Sequence, residues 1–152
     1  MPVKRDLIML GWREMVALPD LGIEGAQAKI DTGARTSALH AHVLETFRKG
    51  EREYVRFAID YAPQKVQQVC EAIRVDRRTI TSSNGEAEER LIVKTQICIG
   101  DTAFRAEFSL ADRSDMVFPI LIGRTALRSR FVVNPARSYL QSPARARKRI
   151  LG

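Results

Sequence analysis

The chain has 152 residues, with 25 Lys and Arg against 18 Asp and Glu, a net charge of +7 and two cysteines. A chain of this length fits one domain burying roughly 70% of its unfolded surface, so it holds a core without a disulfide framework; Cys70 and Cys98 read as free, buried thiols of a reducing compartment. No run reaches the roughly 20 apolar residues of a membrane span, and the charged residues 1–6 followed by broken apolar stretches lack a signal-peptide pattern, so a soluble cytoplasmic protein is expected.

In chain order, residues 7–12 and 14–18 read as short strands closed by the turn composition Pro19-Asp20-Leu21-Gly22. Residues 26–30 form an apolar strand that runs into Asp31-Thr32-Gly33-Ala34. An ionised carboxylate at the end of a buried strand is costly unless it has a task or a partner. Thr32 can hydrogen-bond locally and Gly33 permits close backbone approach, so the tetrapeptide describes a carboxylate held on a tight loop. Residues 37–44 alternate with a period of two, which predicts a strand. Residues 47–52, charged and containing Gly50, are expected to form a loop. Residues 54–59 resume a strand pattern, 61–68 form an exposed excursion, and 69–75 are a further strand.

Residues 74–81 and 91–99 flank Ser82-Ser83-Asn84-Gly85, and Asn-Gly between β-patterned arms is the strongest short-range hairpin signal. The many charges on these arms predict a hairpin projecting into solvent. A second hairpin turns at Gly100-Asp101 into residues 102–110, and a loop over 111–114 follows. Residues 117–122 are an apolar strand interrupted by Pro119, 123–127 a short helix, and 131–133 a last strand. Asp101-Thr102-Ala103 looks like a second Asp-Thr-Gly but lacks the glycine and reads as a plain turn. The pattern is all-β with one short C-terminal helix, of the closed or partly open barrel type.

The order of these parts resembles the retropepsin-like aspartic proteases: an early Asp-Thr-Gly-Ala, a central hairpin flap, and a late apolar strand ending in Gly-Arg. The counterparts are Asp31–Ala34, the hairpin tipped by Ser82, Ser83, Asn84 and Gly85, and Ile120-Leu121-Ile122-Gly123-Arg124. The resemblance covers residues 12–135. More narrowly, residues 28–41, the Ser-Ser-Asn-Gly turn and residues 116–124 resemble a bacterial family often labelled "ATP-dependent zinc protease", whose members are associated with a ligase that adds glutamates to a ribosomal protein. The resemblance implies catalysis by Asp31 with Thr32 and Gly33, substrate contacts from Ala34, Ser82, Ser83, Asn84 and Gly85, and support of the site by Gly123 and Arg124. No cofactor is expected, despite the words of that label.

The family label is testable on the residues. The chain's two histidines, His40 and His42, share one strand face without a predicted third ligand, and no Gly-x-x-x-x-Gly-Lys-Ser/Thr loop is present, so neither a metal nor a nucleotide is expected. Aspartic proteolysis needs two carboxylates sharing a proton, and one Asp-Thr-Gly supplies one. A C2 homodimer with Asp31 of each subunit near the axis is therefore expected.

Arg35 departs from the retroviral pattern, which carries acids after Asp-Thr-Gly-Ala, one of them paired with the late Arg. Arg124 therefore needs another partner, Asp112 or Asp115 being candidates, while Arg35 either forms an internal ion pair or makes the cleft positive for an acidic, glutamate-rich substrate. Residues 1–136 are expected to be the protease domain and 137–152 a basic tail, solvated or docking on RNA or a ribosomal particle. Two other functional classes compete: a weakly active or inactive binding module of the same fold, and a metal-dependent hydrolase using His40 and His42.

Overall fold

A computed structural model describes residues 6–60, 67–81, 84–112 and 117–142. Among the described residues ten strands, a 3-10 turn (Pro19–Leu21) and one short α-helix follow in order, the strands and α-helix being β1 (Ile8–Gly11), β2 (Arg13–Leu18), β3 (Ile23–Ile30), β4 (Ser37–Lys49), β5 (Arg52–Asp60), β6 (Gln67–Thr81), β7 (Ala87–Ile99), β8 (Thr102–Ala111), β9 (Ile120–Ile122), α1 (Arg124–Leu127) and β10 (Phe131–Asn134). The fold is the expected all-β, retropepsin-like type with its single short helix.

Eight strands form one sheet in the order β2-β3-β9-β4-β5-β6-β7-β8. The sheet curls back on itself, each end strand pairing with an inner one. β8 pairs parallel with the start of β4, Leu110 opposite Leu39, and β2 touches β7 through Ala17 and Cys98. The first residues of β4 thus lie between β8 on one side and β9 on the other, where Leu39 faces Ile120. Burial follows the strand alternation: Val55, Phe57 and Ile59 of β5 are fully buried, as are Ile97 and Ile99 of β7. β1 and β10 form a separate parallel pair, with Leu10 and Phe131 turned into the core.

Several boundaries differ from the sequence expectation. The expected 47–52 loop is a tight turn: β4 runs to Lys49 and β5 starts at Arg52, with Gly50 in the left-handed region at φ +67°. Charged residues continue both strands there because this end of the hairpin faces solvent, and Phe47 stacks on Tyr54 with centroids 5.7 Å apart. The two strands expected over 69–75 and 74–81 are one continuous β6, with a register shift between Arg74 and Asp76. β9 keeps only three residues, since Pro119 has no amide to donate; its carbonyl instead accepts from the His40 amide at 2.8 Å.

Residues 137–142 are packed on the β1–β2 corner: the Arg137 carbonyl accepts from Trp12 at 2.8 Å, and the Tyr139 amide donates to Arg13 at 2.9 Å. The physical cause is Glu14, a carboxylate with 0% exposure. It accepts from the amides of Gly11 (2.7 Å), Leu140 (2.8 Å) and Gln141 (2.9 Å) and from the hydroxyl of Ser142 (3.0 Å). Residues 143–152, which hold most of the basic tail, lie outside the described residues. Among the described residues no helix is long and apolar enough to cross a membrane.

Candidate active site

Asp31 stands at the end of β3, where its backbone is fixed from both sides. Its amide donates to the Ile122 carbonyl at 2.8 Å, and the preceding Ile30 amide donates to Trp12 at 2.8 Å. The chain then turns: the Ala34 amide donates to the Asp31 carbonyl at 3.3 Å, and the Gly33 amide to the Asp31 carboxylate Oδ1 at 2.9 Å. Asp31 is half-buried and Thr32 and Gly33 are exposed, so the carboxylate is held by backbone yet open on one side. Among the described residues Asp31 has no ion pair, and no second carboxylate of this chain joins it; Asp101 sits in the β7–β8 turn, as read from the sequence.

The strand-to-Gly-Arg segment clamps this loop from below. Arg124 donates its amide to Ala34 at 2.8 Å and its Nη1 to the Thr32 carbonyl at 3.0 Å. The Thr125 amide donates to the Arg35 carbonyl at 3.1 Å, and the Gly123 amide to the buried Ser37 Oγ at 3.0 Å. Only glycine fits at 123: a Cβ would lie 2.8 Å from the Thr36 carbonyl carbon and 3.0 Å from the Ala34 oxygen. The Arg124 guanidinium is thus bonded to a main-chain carbonyl. Asp112 is engaged elsewhere, with His42 Nδ1 at 2.7 Å, and Asp115 lies outside the described residues.

A cleft of about 810 Å³ opens between this loop and the hairpin arm. One wall is Gly33, Ala34, Arg35 and Thr36; the facing wall is Arg78, Thr79, Ile80 and Thr81 of β6. Lys94, Arg105 and Glu107 contribute from β7 and β8, and Thr125, Ala126 and Arg130 from the helical end. Asp31 is not a lining residue; it stands two positions before the wall begins. At the hairpin tip Asn84 Oδ1 accepts from the Glu86 amide at 3.1 Å, with Asn84 and Gly85 exposed, and Ser82 and Ser83 lie outside the described residues. Thus Ala34 and Arg35 reach the cleft, whereas Asn84 and Gly85 lie beyond the arm that forms its wall.

Arg35 is exposed on the cleft wall and makes no ion pair among the described residues. Arg78 is committed: its Nε donates to Asp76 at 2.6 Å and its Nη2 to Glu107 at 2.8 Å. These bonds raise the Arg78 pKa, and the Arg78 guanidinium, with the Arg77 amide, holds Asp76 below the ordinary carboxylate value. Sequence reading missed Lys94, Arg105 and Arg130 because on strands and turns each looks like any solvated charge. It also missed Glu14, whose only signal is an acid beside the apolar residues Met15 and Val16.

The histidine pair gathers one acid. His42 meets Asp112, while the buried Nδ1 of His40 has no hydrogen-bond partner among the described residues. No group of three or more metal-ligating side chains forms among the described residues.

A curled all-β sheet with a backbone-pinned Asp-Thr-Gly loop, locked from below by a Gly-Arg turn and faced by a hairpin arm, defines a retropepsin-like protein. Residues 9–144 match the family model RimB-like, described as retropepsin-like aspartic endopeptidase RimB, and the chain belongs to that family. A Shewanella pealeana protein named probable alpha-L-glutamate ligase is 35% identical over 133 residues, 86% of this chain and 29% of its own length. A Desulfotalea psychrophila protein of the same name is 31% identical over 132 residues, 84% of this chain and 28% of its own. The chain thus spans less than a third of the length of these curated relatives. The crystal structure of a Legionella pneumophila protein of unknown function is similar with a TM-score of 0.79 at 25% identity, covering 90% of this chain and 100% of that one.

Proposed function

We propose that the protein is an aspartic endopeptidase whose active site forms across a C2 homodimer, each chain contributing Asp31. The observation that carries this reading is the Asp31 loop: a half-exposed carboxylate without an ion pair among the described residues, fixed by four backbone hydrogen bonds beside a substrate-sized cleft. Such a carboxylate is half of a dyad. Two of them at close range cannot both ionise, so they hold one proton between them. The ionised Asp31 takes a proton from the attacking water, while the protonated Asp31 of the partner subunit donates to the scissile carbonyl oxygen as it gains charge. As the tetrahedral diol collapses and the C–N bond breaks, the water-derived proton passes from Asp31 to the leaving amine. The ionised Asp31 of the partner subunit takes a diol hydroxyl proton, which restores the one-proton pair. The hairpin above the loop excludes water and orients the peptide when it closes.

The positive walls of the cleft support an acidic, glutamate-rich peptide as the substrate class, and the relatives named glutamate ligases supply such a context. Replacing Asp31 by Asn is the direct test. It is expected to abolish cleavage of a glutamate-rich peptide while leaving the fold and the oligomeric state unchanged. A pepstatin-type inhibitor is expected to block the wild type, and a chelator to have no effect. Chelator-sensitive cleavage retained in Asp31→Asn would instead support the metal-hydrolase reading.

A second reading is favoured by the length of those relatives, in which the matching stretch is 29% of a longer chain. There the domain serves as a binding module for acidic or ribosomal partners, with the basic residues after Ser142 assisting on the ribosome or RNA. Truncation after Ser142 separates the two: loss of ribosome association with unchanged proteolysis assigns docking to the tail.

A further inference from the structure

The cations around the cleft are not equivalent, and their commitments single out two of them. Arg78 is held by both Asp76 and Glu107. Arg130 lies over the Phe104 ring at 4.4 Å and donates to the Ala126 carbonyl at 3.4 Å. Arg105 approaches Asp20 at 3.8 Å. Arg35 and Lys94 line the same cleft, are exposed, and have no ion-pair partner among the described residues.

Their backbones are nonetheless fixed. The Arg35 carbonyl accepts from Thr125, and Lys94 lies in mid-sheet between Ile73 and Glu107. The register would let Glu107 neutralise Lys94, its cross-strand neighbour. Glu107 Oε1 instead accepts from Arg78, and no ion pair joins Glu107 to Lys94 among the described residues. Two uncommitted cations on a rigid frame, one on the Asp31 loop and one on the opposite strand, form a receptor for two carboxylates of one extended chain.

We infer that Lys94 and Arg35 are the specificity-determining residues of the cleft, each binding an acidic side chain of the peptide, with the Glu107–Arg78 pair keeping Lys94 free to do so. The inference rests on the protease reading for its kinetic consequences but not for binding itself. Arg35 takes a carboxylate bidentately through its planar fork, and Lys94 takes one as a point charge. Both contacts weaken with ionic strength because the side chains are exposed.

The test uses the full chain and two short peptides, an oligoglutamate and an oligoglutamine of equal length, with binding to Asp31→Asn measured by fluorescence anisotropy. Oligoglutamate is expected to bind and oligoglutamine to bind far more weakly. Adding Lys94→Gln or Arg35→Gln is expected to weaken oligoglutamate binding by about fivefold to tenfold each. Arg52→Gln, which removes a cation from the distant β4–β5 turn, is expected to change nothing. In an active wild-type background the two cleft substitutions raise KM for a glutamate-containing peptide, with little change in kcat and none on a neutral peptide. Equal binding of both oligopeptides, or equal losses on acidic and neutral substrates, overturns the inference. If no peptide is cleaved but oligoglutamate binds and is lost in Lys94→Gln and Arg35→Gln, the protease reading fails while this one stands.

Discussion

Arg124 donates from Nη1 to the main-chain carbonyl of Thr32 at 3.0 Å, and its amide donates to Ala34 at 2.8 Å. One residue thus grips the peptide on each side of Gly33 and sets where the Asp31 carboxylate points. An acid partner is unnecessary, because a carbonyl already accepts a charge-assisted bond. Arg124→Ala is expected to lower kcat more than it raises KM, and to cost about 1–2 kcal/mol of stability. Arg124→Lys is expected to rescue stability better than kcat, since a point charge does not reproduce the planar fork. Urea unfolding and steady-state kinetics check both. A KM effect alone would count against a positioning role.

Glu14 is the anchor of residues 140–142, taking four hydrogen bonds while fully buried. Glu14→Gln keeps the volume but turns one acceptor into a donor, which then faces an amide or hydroxyl that needs an acceptor. The expected cost is about 2–3 kcal/mol, with accelerated hydrogen exchange at Leu140 and Gln141. Unchanged exchange there would show that the segment is held by Tyr139 and Arg137 without it.

Asp76 is held below the usual carboxylate value by the Arg78 side chain and the Arg77 amide. A depressed folded pKa means that the unfolded chain takes up the proton first as pH falls. The stabilisation is therefore present above the unfolded value, about 3.9, and lost as pH drops through the folded one. Asp76→Asn is expected to flatten this acid limb in denaturation measured from neutral pH downward. Protonation also frees Arg78 from one of its two acids at the cleft wall.

Burial pushes the Cys70 thiol up to about 11 from 9.0, with its sulfur near the Leu21 and Gln68 carbonyls. A raised folded value protects the folded state below pH 9.0, and that stability is lost progressively as pH rises toward 11. At neutral pH an alkylating reagent is expected to label Cys70 only as fast as the protein opens. Labelling of Cys70 as rapid as that of a free thiol would contradict its burial.

The parts of the fold that sequence makes visible are those governed by short-range rules. Asn84-Gly85 marks a hairpin because few other turns use that pair, and Asp31-Thr32-Gly33 and Gly123-Arg124 are local motifs. What depends on a partner distant in sequence is invisible. The charged runs of β4 and β6 remain strands because their neighbours complete the ladder, so Phe47–Tyr54 stacking and cross-strand charges outweigh local propensity. Glu14 finds three of its four donors more than 120 residues away, and Arg124 bonds a main-chain carbonyl that no residue pattern announces. Lys94 becomes notable only once Glu107 is seen to be bonded to Arg78.

The measurement that bears most directly on an Asp31 dyad shared between chains is cleavage by wild type and Asp31→Asn co-refolded in varying proportions. If each site needs two Asp31 residues from two chains, mixed dimers are inactive and activity falls with the square of the wild-type fraction, to about a quarter in an equal mixture. A linear fall, to about half, would place a complete site within one chain and contradict the shared dyad.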